Sequence, residues 1–404
     1  MTTSSTDPVT TTAAAAPDPT TTTPGRDWFP LLDTLRAVGA VAVMTTHVAF
    51  LTGSYGGQGY DGWLLARLDV GVALFFVLSG FLLSRPYLAT AVAGRPAPSL
   101  ARYARRRVWR VLPLAVVTVV LALALLETNR GASWYDRLSA LTLTSTYLRS
   151  SFPAGLTHLW SLATEITFYV ALPALMVLVV GRGRRALRVG RVVALLVGSL
   201  ALSVVWFALA VPALEGVGVP STWLPGYLAW FAVGIALAAA REAATAGADG
   251  RVLNGLRTLA LQPGACWTVA GGLLLLSSTP IAGPATLAPV DPEQHVVKVV
   301  LYAVAAGLVV LTGVFPTTTR YAAAMGHAAP RRLGAISYAV FCLHLPVIHL
   351  VFFATGWEFF GGRFLAVWVL TAGLTWVASE AAYRWIEVPA QRIGHGRPVR
   401  SPGS

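Results

Sequence analysis

Arg36, His47 and Glu165 are ionisable residues set inside long apolar stretches. Such placement is costly and marks a residue as a candidate for function. Arg36 and His47 are separated by ten residues. Eleven helical steps complete three turns plus a small remainder, so both side chains lie on nearly one helix face, ~16 Å apart along the axis. Arg36 could bind an anion, pair with Asp33, or snorkel toward the nearer membrane surface. His47 could be a base or a hydrogen-bonded core group. Counting from the ends of their apolar stretches, His47 and Glu165 reach similar depth from opposite directions, within about a turn. A carboxylate beside an imidazole orients and charges a catalytic base, which is the chemistry expected of this pair. His158 is a second, more interfacial candidate.

A basic run follows, with Arg102, Arg105, Arg106, Arg107 and Arg110. It could anchor one end of a membrane helix, or dock a polyanion such as the phosphates of a cytosolic cofactor. Softer features surround these. Ser79 lacks the pattern of a nucleophile elbow. Tyr338 and His344 could line a cavity or pack. Arg384 can pair with Glu380 or Glu387 at helical spacing, as a structural clasp. Cys266 and Cys342 lie in apolar runs without metal spacing and read as small buried hydrophobes. There is no Gly-rich phosphate loop, paired-cysteine motif or zinc-protease helix motif.

The elements that position these residues follow from composition. Of 404 residues, 55% are hydrophobic and 12% charged. A soluble domain carries about 25% charged residues. This excludes an ordinary soluble globule, a disordered chain and a coiled coil, and leaves an all-α polytopic membrane protein. Ten apolar segments are long enough to be candidate spans: 30–51, 69–89, 109–127, 158–180, 192–211, 225–240, 265–281, 296–315, 333–354 and 364–386. The run Leu138–Leu148 is too short to span and suits the interface. With the N-terminus inside, twenty-three basic residues fall in inner segments and five in outer ones. That asymmetry predicts both termini in the cytoplasm. It also accounts for most of the net charge of +13, so nucleic acid is not an expected partner. Residues 1–27 read as a disordered, uncleaved cytoplasmic tail, 28–390 as the transmembrane domain, and 391–404 as a C-terminal cytoplasmic tail.

The ordered set of motifs resembles the acyltransferase 3 family of integral membrane O-acyltransferases. It comprises Leu32-Asp33-Thr34-Leu35-Arg36 with His47; Gly71 to Phe81; Arg107 and Arg110 with Pro113; His158 to Glu165 with Phe168, Tyr169 and Pro173; Ile336-Ser337-Tyr338 to His344 and Pro346; and Tyr383 to Glu387 with Pro389. The resemblance implies about ten transmembrane helices in the plasma membrane. It implies transfer of an acyl group, often acetyl, from cytosolic acyl-CoA to a hydroxyl of a cell-envelope carbohydrate or a small natural product. His47 and Glu165 would be catalytic, and Arg36, Arg107 and Arg110 would bind the acyl-CoA donor. No metal and no permanently bound cofactor are expected. Phe341 stands where many members have tyrosine. Many relatives carry an additional SGNH-type hydrolase domain, which is not expected here. The rival expectation is a proton-coupled transporter or flippase using Arg36, His47 and Glu165 as a relay; the absence of two related halves counts against it.

Overall fold

The computed structural model describes residues 29–56, 60–181, 188–285 and 290–396. The tail expected at residues 1–27 lies outside these. Among the described residues every regular element is helical. In chain order the α-helices are α1 (Pro30–Leu51), α2 (Tyr60–Arg67), α3 (Val70–Val92), α4 (Leu100–Leu125), α5 (Trp134–Leu141), α6 (Ser145–Leu148), α7 (Leu159–Val180), α8 (Val189–Val205), α9 (Val211–Ala213), α10 (Leu224–Thr245), α11 (Arg251–Ala260), α12 (Pro263–Ser277), α13 (Pro292–Leu311), α14 (Arg320–Met325), α15 (Ala328–Thr355), α16 (Phe364–Ala382) and α17 (Val388–His395). Wide π-helical turns at Trp206–Ala210 and Tyr383–Glu387 join α8 to α9 and α16 to α17. The tail expected from residue 391 therefore begins later, because α17 continues to His395.

Nine helices among the described residues are long and apolar enough to cross a bilayer, or ten if a bent pair counts as one span. That pair is α11 and α12, which meet at 90°. The expected span at 265–281 is thus a short helix of 15 residues, about 22 Å long. It cannot cross a core of ~30 Å alone. The span expected at 109–127 begins earlier: α4 starts at Leu100, capped by the Ser99 hydroxyl, which accepts from the Arg102 amide at 3.4 Å. The basic residues are therefore displayed on a helix instead of lying in a loop.

The centre of the bundle is built from α1, α3, α10 and α15. α3 packs along α10 because glycine stands at the crossing on both sides. A Cβ on Gly80 would lie 2.2 Å from the Phe231 carbonyl oxygen, and one on Gly234 would lie 2.1 Å from that of Val77. Small residues let backbones touch where lipid supplies no hydrophobic drive for association. Just beside this crossing the Phe231 ring is sandwiched between Phe76 of α3 and Phe168 of α7, with centroids 4.4 and 3.9 Å apart. Outward, the bundle shows large apolar side chains such as Val170, Leu178, Phe353 and Val377, all well exposed. Lipid is the solvent that suits such a perimeter. Ion pairs tie the arginine-rich ends together: Arg85 to Glu242 at 2.7 Å, Arg110 to Glu387 at 3.0 Å, and Arg332 to Glu380. At the other end Lys298 pairs with Asp69 at 2.5 Å, and Tyr302 donates to the same carboxylate.

Candidate active site

Two groups of side chains occupy the middle of the bundle, one above the other. The first lines a cavity of about 60 Å³ between α1, α3, α4, α7 and α15, and includes Arg36, Arg107, Arg110, Ser79, Glu165 and Tyr169. Four of the five residues singled out in the sequence therefore share one chamber. Arg110 is charge-compensated by Glu387, whose carboxylate is almost completely buried. The π-helical turn at Tyr383–Glu387 carries that carboxylate to α4. Glu387 thus pairs with Arg110, and the clasp at the end of α16 is made by Glu380 with Arg332 and, at 3.4 Å, Arg384. Arg36 and Arg107 form no ion pair or hydrogen bond with another described residue through their guanidinium groups. Guanidiniums without an ion-pair partner in a recess suit an anion, and their planar forks suit phosphate; the Glu165 carboxylate shares the chamber.

The second group is a cluster of imidazoles. His47 lies beside His344 and His158, with ring centroids 5.1 and 6.3 Å away, and those two rings are 4.9 Å apart. His47 Nδ1 is 2.8 Å from the Val43 carbonyl oxygen, and His344 Nδ1 is 3.0 Å from that of Val340. A carbonyl can only accept, so each Nδ1 carries the proton. His344 Nε2 is then a lone pair, 3.1 Å from His47 Nδ1, and shares that N–H with Val43. The network assigns the tautomers and leaves His47 Nε2 unprotonated, with no hydrogen-bond partner among the described residues. This is the form required of a general base or a nucleophile.

The expected contact between His47 and Glu165 is absent. Glu165 accepts a hydrogen bond from the Ser79 hydroxyl and faces the arginine chamber. The reason is the start of α7. The matching depth takes His158 as the membrane edge, but His158 is 2% exposed and its Nε2 bonds the Cys342 carbonyl oxygen at 3.1 Å. The segment before it, with α5 and α6, folds back into the bundle, so Gly155 meets the backbone of Pro346. His158 is therefore the residue level with His47, and Glu165 lies seven residues, ~10 Å, further along α7. His344 and His158 complete the cluster: the sequence offers His344 as cavity lining or packing and His158 as a second, interfacial candidate, and periodicity does not bring the two together.

Phe341 joins the two groups. Its ring lines the arginine chamber and packs edge-on against His158 at 5.2 Å and Phe75 at 6.0 Å. Ser161 also lines the chamber and donates to the His158 carbonyl at 3.0 Å. An anion site, an apolar neck and an unprotonated imidazole thus follow one another along α1. Among the described residues no group of three or more His, Cys, Asp or Glu side chains is arranged to hold a metal.

A family model described as an acyltransferase domain (acyltransferase 3) matches residues 29–380. The chain is 27% identical over 168 residues to the peptidoglycan O-acetyltransferase OatA of Listeria monocytogenes, covering 37% of this chain and 24% of that protein. It is 32% identical over 188 residues to YrhL of Bacillus subtilis, covering 42% and 27%. The chain therefore spans about a quarter of the length of these two relatives. Nodulation protein 10 of Rhizobium leguminosarum bv. viciae is 27% identical over 396 residues, covering 89% of this chain and 93% of that protein. No solved structure matches the chain.

Proposed function

The chain belongs to the acyltransferase 3 family, and from this premise we propose that it is a membrane O-acyltransferase moving an acyl group, acetyl in the first instance, from cytosolic acyl-CoA to a hydroxyl. The acceptor is a cell-envelope carbohydrate or a small natural product; the peptidoglycan O-acetyltransferase among its relatives favours a glycan. The chain sits in the plasma membrane with both termini in the cytoplasm, an orientation supported by the division of its arginines. The arginine chamber then opens toward the cytoplasm, and the imidazoles lie toward the outside.

The observation that carries this reading is the alignment of Arg36, Arg107 and Arg110 around one chamber with His47 three helical turns further along α1. Donor phosphates neutralise Arg36 and Arg107. The rise of ~16 Å from Arg36 to His47 suits an extended pantetheine arm, which passes the Phe341 neck and brings the thioester to the imidazoles. His47 Nε2 removes the acceptor's hydroxyl proton. The alkoxide attacks the thioester carbonyl, the C–S bond breaks, and the leaving thiolate recovers the proton from His47. In the variant with two transfers, His47 Nε2 itself accepts the acyl group and passes it on. Glu165, held by Ser79, supplies the negative charge that keeps three arginines together in one chamber.

The direct test supplies purified protein with labelled acetyl-CoA and a hydroxyl acceptor. Wild type is expected to yield labelled ester. His47→Ala is expected to abolish it at unchanged protein level and membrane insertion, and full activity in that variant refutes the mechanism. Comparative mass spectrometry of envelope glycans and secreted metabolites, with and without the protein, identifies the acceptor by a missing acetyl increment.

A further inference from the structure

A second cavity, of about 510 Å³, lies beside the arginine chamber and is lined by α3, the loop from α3 to α4, and α7. That volume is in the range of small-molecule sites. The two cavities follow the same helix faces. On α4 the stripe Leu100, Tyr103, Arg107, Arg110 steps by three, four and three residues, so these side chains share one face. Leu100 lines the second cavity, and Arg107 and Arg110 line the first. On α7 the stripe Glu165, Tyr169, Pro173, Met176 behaves the same way: Glu165 and Tyr169 face the first cavity, Pro173 and Met176 the second. Between them stands Tyr103, whose hydroxyl donates to the Tyr169 carbonyl at 3.1 Å and whose ring packs edge-on against Tyr87 at 6.1 Å. One cleft thus runs between α3, α4 and α7, divided by a tyrosine.

The second compartment has a particular chemistry. Three prolines, Pro96, Pro98 and Pro173, give it flat apolar walls. Tyr87, a residue 8% exposed, also lines the compartment, with its hydroxyl oxygen buried. Arg95 stands exposed at the rim, beside the N-terminus of the 26-residue helix α4, where the helix dipole favours an anion. The compartment therefore combines planar apolar walls with positive potential at its mouth.

We propose that this compartment holds the adenosine end of the donor, with the ring between the prolines and the ribose phosphate toward Arg95. The assignment rests on acyl-CoA being the donor. Its length is consistent: Leu100 and Arg107 are seven residues apart on α4, about 10 Å, comparable to the reach from an adenine ring across the ribose to the far phosphate of the diphosphate. Tyr103 becomes the threshold over which the diphosphate turns into the arginine chamber. The donor then lies along a single cleft from the α3–α4 loop to His47.

The test compares acetyl-CoA with acetyl-phosphopantetheine, which carries the same thioester arm without the adenosine end, using the full chain in lipid nanodiscs. Wild type is expected to favour acetyl-CoA in kcat/KM. Val177→Trp fills the compartment from its lipid-facing side and is expected to lower that preference at least tenfold. Arg95→Gln removes only the charge of an exposed side chain at the rim; it is expected to lower the preference by the ~2- to 10-fold of one hydrogen bond, so the question stays decidable if the tryptophan variant folds poorly. A wild type that uses both donors equally overturns the assignment, as does an unchanged preference in both variants. A phospholipid retained in native mass spectra of wild type and lost from Val177→Trp, with the donor preference unchanged, assigns the compartment to lipid instead. Failure of wild type to use either donor is a different result and removes the acyl-CoA reading itself.

Discussion

Replacing His344 by leucine separates the base from the group that supports it. His344 is fully buried, and leucine fills much of the imidazole's volume without a polar atom. What is lost is the acceptor 3.1 Å from His47 Nδ1. The Val43 carbonyl, at 2.8 Å from the same atom, remains, so His47 keeps its tautomer and its unprotonated Nε2. The ground state is therefore little altered. The loss appears when His47 takes a proton, because the imidazolium then has one acceptor at Nδ1 where it had two. A hydrogen bond to a charged group contributes about 1.5–3 kcal/mol, which corresponds to a fall in kcat of roughly 10- to 150-fold. Loss of the base itself in His47→Ala costs about 10²- to 10⁴-fold. The expected order is wild type, then His344→Leu, then His47→Ala, with KM for acetyl-CoA unchanged in His344→Leu because the arginine chamber is untouched. Steady-state kinetics with labelled acetyl-CoA, beside a thermal melt of each variant, measure this. Wild-type kcat in a folded His344→Leu protein refutes the proposed support, and a rise in KM at constant kcat assigns His344 to donor binding instead.

Two further outcomes test the scaffold. Gly80→Ala puts a methyl group against the Phe231 carbonyl and forces α3 and α10 apart, so it is expected to destabilise by about 1–3 kcal/mol in thermal unfolding. Gly373→Ala on α16, where a Cβ meets open space, is expected to cause no loss. Glu387→Gln leaves the shape of the pair with Arg110 and removes its charge. A double-mutant cycle with Arg110→Gln is expected to give a coupling of about 0.5–3 kcal/mol, and strict additivity contradicts the pairing.

The sequence reads clearly where the physics is one-dimensional. Apolar run length located the long helices, because crossing a bilayer is a constraint on length alone. Its failures are those of length as well: α12 is short because it continues into α11 through a 90° bend, which hydropathy does not record. The arginine chamber was legible because Arg36, Arg107 and Arg110 each stand out against apolar surroundings. Which arginines are left unpaired was not legible, since Glu387 reaches Arg110 through a π-helical turn 277 residues away, and the same glutamate reads equally well as a partner for Arg384.

The imidazole cluster shows why matching depth is a weaker argument than it looks. Two residues at one depth on different helices meet only if both helices begin where they are assumed to begin and if the right faces oppose. The first condition failed for α7, whose N-terminus is buried under a folded-back outer segment. That failure changes the chemistry. A carboxylate next to His47 would have made the imidazole a charged-pair base with a fixed proton on the carboxylate side. A second neutral imidazole next to it leaves His47 with no carboxylate in contact among the described residues, so the cationic form has to be stabilised at Nδ1 by a lone pair and the Val43 carbonyl. Such a base is strongest when the charge it acquires is short-lived. Concerted return of the proton to the leaving thiolate meets that requirement, because the acceptor proton and the new thiol proton are then exchanged at one nitrogen and no net charge is left among the three histidines. Glu165, freed from that role, lies in the chamber with Arg36, Arg107 and Arg110, where its charge offsets the repulsion between Arg36 and Arg110.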